Sequence, residues 1–127
     1  MTIPGYKRLT ITLSLACVVL VVLYGCLFLN YGSLKIEVAF ASEQTQIFEE
    51  MRTQALQSDA AGAATCLRYI VRYYPSGTKQ QTSSRLDRMV ERERTQAERD
   101  IISYLRTKTS QDLGESPEAW IQKYALK

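Results

Sequence analysis

An all-α protein is predicted: one N-terminal transmembrane helix followed by a small helical bundle or hairpin domain of about four helices. Three observations predict it. Leu9 to Leu29 is an uncharged apolar run of 21 residues. The remainder alternates between stretches with apolar residues at three- and four-residue steps and short breaks rich in Ser, Asp, Gly and Pro. Only one stretch alternates as a strand would, and a strand without a partner is not stable.

The apolar run decides the organisation of the chain. A helix of that length spans about 31 Å, close to the roughly 30 Å hydrocarbon core of a bilayer. Thr10, Thr12 and Ser14 are its distinctly polar residues, and in a helix their hydroxyls bond to the preceding turn. The chain of 127 residues therefore divides into an N-terminal tail (1–8), a transmembrane helix (9–30) and a helical extracytoplasmic domain (31–127). A cleaved signal peptide is the first alternative. Its apolar region runs roughly 7–15 residues, shorter than this one, and no small-x-small cleavage site follows. The second is lipoprotein processing. Leu23-Tyr24-Gly25-Cys26 resembles a lipobox, but Tyr24 departs from the pattern and Cys26 is followed by apolar Leu27-Phe28-Leu29. Cys17 and Cys26 otherwise read as small packing or lipid-facing residues. Lys7 and Arg8 precede the span and Lys35 alone follows it closely, which places the N-terminus in the cytoplasm and the domain outside. In a bacterium the span lies in the inner membrane.

Leu34 to Phe40 (LKIEVAF) alternates as a strand does, yet it also reads as a helix entering the next stretch. Residues 43–57 are rich in good helix formers, so one helix is predicted over 34–57, with Ile36, Phe40, Ile47, Met51 and Ala55 inward and Gln44 interrupting. Ser58-Asp59 breaks that run and offers a cap. A second helix over 60–74 turns Ala63, Cys66, Leu67, Ile70 and Tyr73 or Tyr74 to one face, and its run of small residues lets another helix approach. Pro75-Ser76-Gly77 ends it. Ser84 with Asp87 resembles a capping box and opens a helix over 84–108, buried along Leu86, Val90, Ala97, Ile101 and Leu105 and interrupted by Glu93 and Arg94. Ser116-Pro117-Glu118 starts a last short helix, in which Trp120, Ile121 and Tyr124 form an apolar plug.

Charge and composition exclude several functions. Of the 16 Lys and Arg, Lys7 and Arg8 precede the span; the domain carries the other 14 against all 13 Asp and Glu, a net charge of +1. A nucleic-acid partner leaves a stronger basic excess. The chain has no histidine, hence neither the commonest general base nor the commonest metal ligand. The domain has one cysteine, Cys66, and so no internal disulfide; beside Leu67 and Ile70 it reads as a buried small residue. Ser76-Gly77-Thr78-Lys79 fits the S-x-x-K spacing, but Pro75 and Gly77 place it in a turn and the companion motifs are absent, Lys108-Thr109-Ser110 being a near miss. A phosphate loop needs Gly where Arg72 stands. No catalytic, cofactor-binding or metal-binding residue is expected, and no small-molecule substrate.

Two surfaces remain as candidate partner-binding residues. Arg85, Arg92, Arg99 and Arg106 recur every seven residues with Arg88 nearby, either as an anion-binding row or as a solvated face compensated by Glu91 and Glu98. Tyr69, Tyr73 and Tyr74 form an aromatic cluster suited to binding or to core packing.

Ala55-Leu56-Gln57-Ser58-Asp59, Ala63, Leu67 and Tyr74-Pro75 resemble the middle of a tetratricopeptide repeat. The first helix departs from that pattern at Ile47, Glu50 and Met51, and no second copy follows. The resemblance implies a helical hairpin. The stretches YYPSGTKQ at 73–80, SRLDRMVER at 84–92 and DLGESPEAWIQKY at 112–124 resemble bacterial single-pass membrane proteins of uncharacterised activity, which implies architecture and location only. The expected function is a membrane-anchored, non-catalytic helical interaction module, with the bilayer and either another protein or itself as partners. The alternative is a self-associating structural envelope protein.

Overall fold

The computed structural model describes residues 5–73 and 79–125. It contains four helices, α1 (Gly5–Gln57), α2 (Ala60–Arg72), α3 (Arg85–Thr109) and α4 (Pro117–Tyr124), and no strand among the described residues. The all-α class follows directly. The chain divides into two compact units, Met1–Ile36 and Glu37–Lys127.

The apolar span and the helix expected over 34–57 are one element. Residues 34–40 are helical, not a strand. Asn30, Gly32 and Ser33 look like breakers, but two of them satisfy themselves on the helix. Asn30 Nδ2 donates to the Cys26 carbonyl at 2.9 Å, and Ser33 Oγ donates to the Asn30 carbonyl at 2.9 Å. Thr10 and Thr12 bond back in the same way, at about 3 Å, to carbonyls three and four residues earlier. With no proline inside it, nothing interrupts the ladder. In the first unit the apolar side chains are exposed on every face, from Leu9 to Leu29. A helix apolar all round does not stand in water. Among the described residues α1 is the one helix long and apolar enough to cross a membrane.

The second unit holds a single core. From α1 it receives Ala41, Gln44, Phe48 and Ala55, with Met51 partly buried, at alternating steps of three and four. This corrects the expected stripe. Ile36 is 58% exposed, Phe40 and Ile47 lie at the edge, and Phe48 is the buried aromatic. Gln44 does not interrupt the face. It is buried because Gln80 Nε2 donates to its Oε1 at 2.7 Å.

Each later helix starts where local chemistry dictates. Asp59 Oδ1 accepts from Gly62 N at 2.8 Å and caps α2. Gly62 is needed there, since a Cβ would lie 2.7 Å from Ser58 Cβ. Ala63 and Ala64 are fully buried and admit the neighbouring helices, while Leu67 and Ile70 fill the centre. The helix ends at Arg72, with Tyr73 as its cap; the expected stop at Pro75-Ser76-Gly77 lies outside the described residues. Ser84 Oγ accepts from Asp87 N at 3.0 Å and Asp87 Oδ2 accepts from Ser83 N at 2.9 Å, a capping box whose return bond falls one residue early. Inside α3 the buried positions are Val90, Arg94, Ala97, Ile101, Ile102 and Leu105, with Leu86 partly covered. Arg94 thus lies within the stripe it was expected to interrupt.

The last helix closes the bundle. Pro117 occupies its first turn, but Ser116 makes no side-chain capping bond, so the proline and the acidic Glu118 set its start. It packs against α2 and α3. Trp120 is completely buried, and its Nε1 donates to the Gly114 carbonyl at 2.9 Å. Gly114 has φ +85°, a conformation that suits glycine, and this turn aims its carbonyl at the indole. Tyr124 stacks on Trp120 at 6.1 Å, and its hydroxyl donates to Gln111.

An eight-residue helix is too short to persist alone, so it depends on docking. Trp120→Ala is expected to cost about 3–5 kcal/mol, comparable with the whole stability of a small domain. Near-ultraviolet circular dichroism of the full chain in detergent micelles, following the tyrosines, checks this. A melting temperature within a degree or two of the wild type contradicts the docked plug.

Candidate interaction surface

The sequence expects an arginine row on α3. A helix turns about 100° per residue, which sets Arg85, Arg88, Arg92 and Arg99 within about 60° of one another. No carboxylate falls within about 60° of Arg92 on either side. The five acids of the helix, Asp87, Glu91, Glu93, Glu98 and Asp100, lie on its flanks. Several are held by other groups. Asp87 serves the cap, Glu91 Oε1 pairs with Arg94 Nη1 at 3.2 Å, and Asp100 accepts from Arg52 Nη1 at 3.1 Å and from Gln96 Nε2 at 2.8 Å. Among the described residues Arg85, Arg92 and Arg99 are exposed and have no ion pair or hydrogen bond of their own. Arg88 is exposed too, and donates one Nη1 bond to the Ser83 carbonyl.

Arg106 does not belong with them. Its Nε donates to Asp112 Oδ1 at 2.9 Å and its Nη2 to Glu115 Oε1 at 2.7 Å. These bonds push the guanidinium further above its ordinary range. The Gly114 amide, and then Arg106, hold the Asp112 carboxyl below the usual range. Arg106 is spent on closing the loop to α4, and Arg88 takes its place in the row.

The tyrosines divide. Tyr69 and Tyr73 stack at 5.1 Å, and Tyr73 meets the Phe48 ring edge-on at 6.2 Å. Tyr73 packs against the core, whereas Tyr69 is 46% exposed. Tyr74 lies outside the described residues. Thr65, Arg68, Arg72 and the two tyrosines line an open groove of about 290 Å³. Arg68 and Arg72 also line a second, of about 360 Å³, with Glu118, Ile121, Gln122 and Ala125. Neither groove is lined by an α3 residue; Arg88, Arg92 and Arg99 line another, with Glu91, Thr95 and Gln96.

Arg94 is the polar residue that sequence reasoning missed. Its Nη2 donates to the Tyr73 carbonyl at 2.9 Å and its guanidinium lies 5.3 Å over the Phe48 ring. A single charged group thereby touches α1, the end of α2 and its own helix. Its position in the three-four stripe between Val90 and Ala97 was the available signal.

Of the S-x-x-K stretch, Lys79 is described. It sits 4.4 Å over the Phe40 ring and 3.8 Å from Glu43 Oε2, bound to α1. Cys66 is buried, and burial pushes its thiol up, away from the reactive thiolate. Among the described residues no three of His, Cys, Asp and Glu gather to hold a metal ion. No family model, curated protein or solved structure matches the chain.

Burial raises the Glu98 carboxyl, Arg94 opposes the shift, and the charges of Glu91 and Glu118 add to it. An acid held more tightly protonated in the folded state loses the protein stability as pH rises. The loss begins near the unfolded value of about 4.3 and is complete above the raised folded value. Glu98→Gln is therefore expected to raise the melting temperature at pH 7 and to leave it unchanged near pH 3. Equal shifts at both pH values, or a fall at pH 7, contradict the assignment. Arg94→Met keeps most of the stem and removes the fork; a loss of about 2 kcal/mol is expected in a denaturant titration of the full chain. A neutral result would mean that the guanidinium makes no net contribution.

Proposed function

We propose that the chain is a single-pass, membrane-tethered and non-catalytic helical module that engages another protein of the envelope. What carries the reading is the pairing of two units within one chain. One is a helix whose apolar side chains are all exposed; the other is a polar helical bundle with its own core. The first has no stable state in water, and a bilayer supplies its missing environment. The second offers a charged helix face and an aromatic groove. In this reading Lys7 and Arg8 stay in the cytoplasm and the bundle lies on the extracytoplasmic side of a bacterial inner membrane. The likeness of 73–80, 84–92 and 112–124 to bacterial single-pass proteins is in keeping with that address.

The protein is expected to stay in the membrane pellet after a carbonate wash, and alkaline phosphatase fused after Lys127 is expected to be active. Crosslinking in native membranes, followed by mass spectrometry, is expected to join Tyr69 or its neighbours to a different protein. Crosslinks to a second copy alone would favour a self-associating structural protein. Release by carbonate would remove the tether. Loss of residues 1–25 with acylation at Cys26 would replace it by a lipid anchor.

A further inference from the structure

Four arginines share the solvent side of α3, three of them without a partner in the chain among the described residues. From Arg85 to Arg99 the row extends about 21 Å along the helix. Glu91 lines the same shallow groove as Arg88, Arg92 and Arg99, but its Oε1 is paired with Arg94, and Asp100 is held by Arg52. The row has no apolar centre. Thr95 and Gln96 flank Arg92 on its C-terminal side, both exposed, and Met89, exposed too, flanks it on the N-terminal side. Protein interfaces are built around buried aromatic or aliphatic anchors, with charge at the rim. A line of guanidinium groups with a single exposed apolar side chain beside it, Met89, fits a surface of phosphates, which the planar fork of arginine grips two oxygens at a time. The same chain carries a helix long and apolar enough to cross a membrane, and membranes present such phosphates.

We propose that Arg85, Arg88, Arg92 and Arg99 form a lipid-headgroup face that seats on anionic phospholipid. This rests on the membrane tether of the preceding section and adds the chemistry of what the bundle touches. The protein partner is then left to the tyrosine groove.

The full chain is reconstituted into vesicles of phosphatidylcholine alone and of an equal mixture with phosphatidylglycerol. Vesicles are floated, treated with membrane-permeant phenylglyoxal, and modification of each arginine is followed by mass spectrometry. In the anionic vesicles Arg85, Arg92 and Arg99 are expected to react at least about fivefold more slowly, the factor one arginine contributes near an anionic surface. Arg72 serves as the exposed control, and salt of about 0.5 M should remove the difference. A triple variant, Arg85→Gln, Arg92→Gln and Arg99→Gln, touches no described bond and should fold; in it the protection of Arg88 should disappear. Equal rates in the two vesicles would overturn the proposal. Protection that is equal in both and indifferent to salt would also overturn it, and would point to a second copy covering the face. A chain that does not float refutes the tether and this face together. One that floats with evenly reactive arginines refutes the face alone.

Discussion

The bundle depends on one charged group placed where an apolar one would be expected. Arg94 occupies a core position of α3, and its guanidinium must find acceptors there or impose a large desolvation cost. It finds the Tyr73 carbonyl, left over at the end of α2, and the Glu91 carboxylate one turn back on its own helix. The Phe48 ring of α1 covers its face. The fork geometry admits few arrangements of those three groups. One guanidinium thereby ties the end of α2, the α1 aromatic and its own helix together. Apolar packing alone tolerates sliding; a fork with directional acceptors does not.

Other polar ties work in the same sense at the remaining seams. Gln80 binds Gln44, and Lys79 lies over Phe40 beside Glu43, so the chain leading into α3 is held on α1. Arg52 reaches Asp100, and Tyr104 donates to the Ser58 carbonyl at the turn between α1 and α2. These residues are far apart in sequence and each pair joins α1 or its end to the segment that follows α2. The core is small and rich in alanine, with Ala41, Ala55, Ala63, Ala64 and Ala97 all buried. Alanine lets helices come close but gives each little shape to recognise the others by. Directional bonds supply that recognition here.

This division explains what the sequence revealed. The long apolar helix was legible because its signal is purely local: 21 residues without a charge and without proline. The starts of α2, α3 and α4 were legible because Asp59 and Ser84 accept from amides three residues on and Pro117 fixes the backbone of the first turn. Gln44 and Arg94 were not, because their burial is licensed by Gln80 and Tyr73, which lie 36 and 21 residues away along the chain. The continuity of α1 was missed for a related reason: Asn30 and Ser33 are breakers by type but satisfy their own helix when it continues. The arginine row was half legible. A seven-residue step drifts about 20° per repeat on a straight helix, so Arg106 stands about 60° from Arg85, the same angle as Arg88. What removes Arg106 from the row is its pairing with Asp112 and Glu115, residues of the loop beyond α3 that the repeat does not reveal.

Arg106 and Arg94 also clarify the four arginines of the outer face. The chain uses guanidinium groups in two ways. Where one is needed to hold the fold, it is matched by acceptors: Arg94 by a carbonyl and a carboxylate, Arg106 by two loop carboxylates, Arg52 by Glu49 and Asp100. Where no structural work is required, Arg85, Arg92 and Arg99 have no such match, although Glu93 and Glu98 stand on the same helix. An evenly mixed helix surface would pair its charges at steps of three or four and gain a few tenths of a kcal/mol from each. Here Glu91 and Asp100 pair with Arg94 and Arg52 instead, and that gain is forgone along the outward line of arginines. Their mutual repulsion is weak in water and screened by salt, so the arrangement is tolerable for the isolated bundle. It becomes favourable only when negative charge is brought to it from outside the fold.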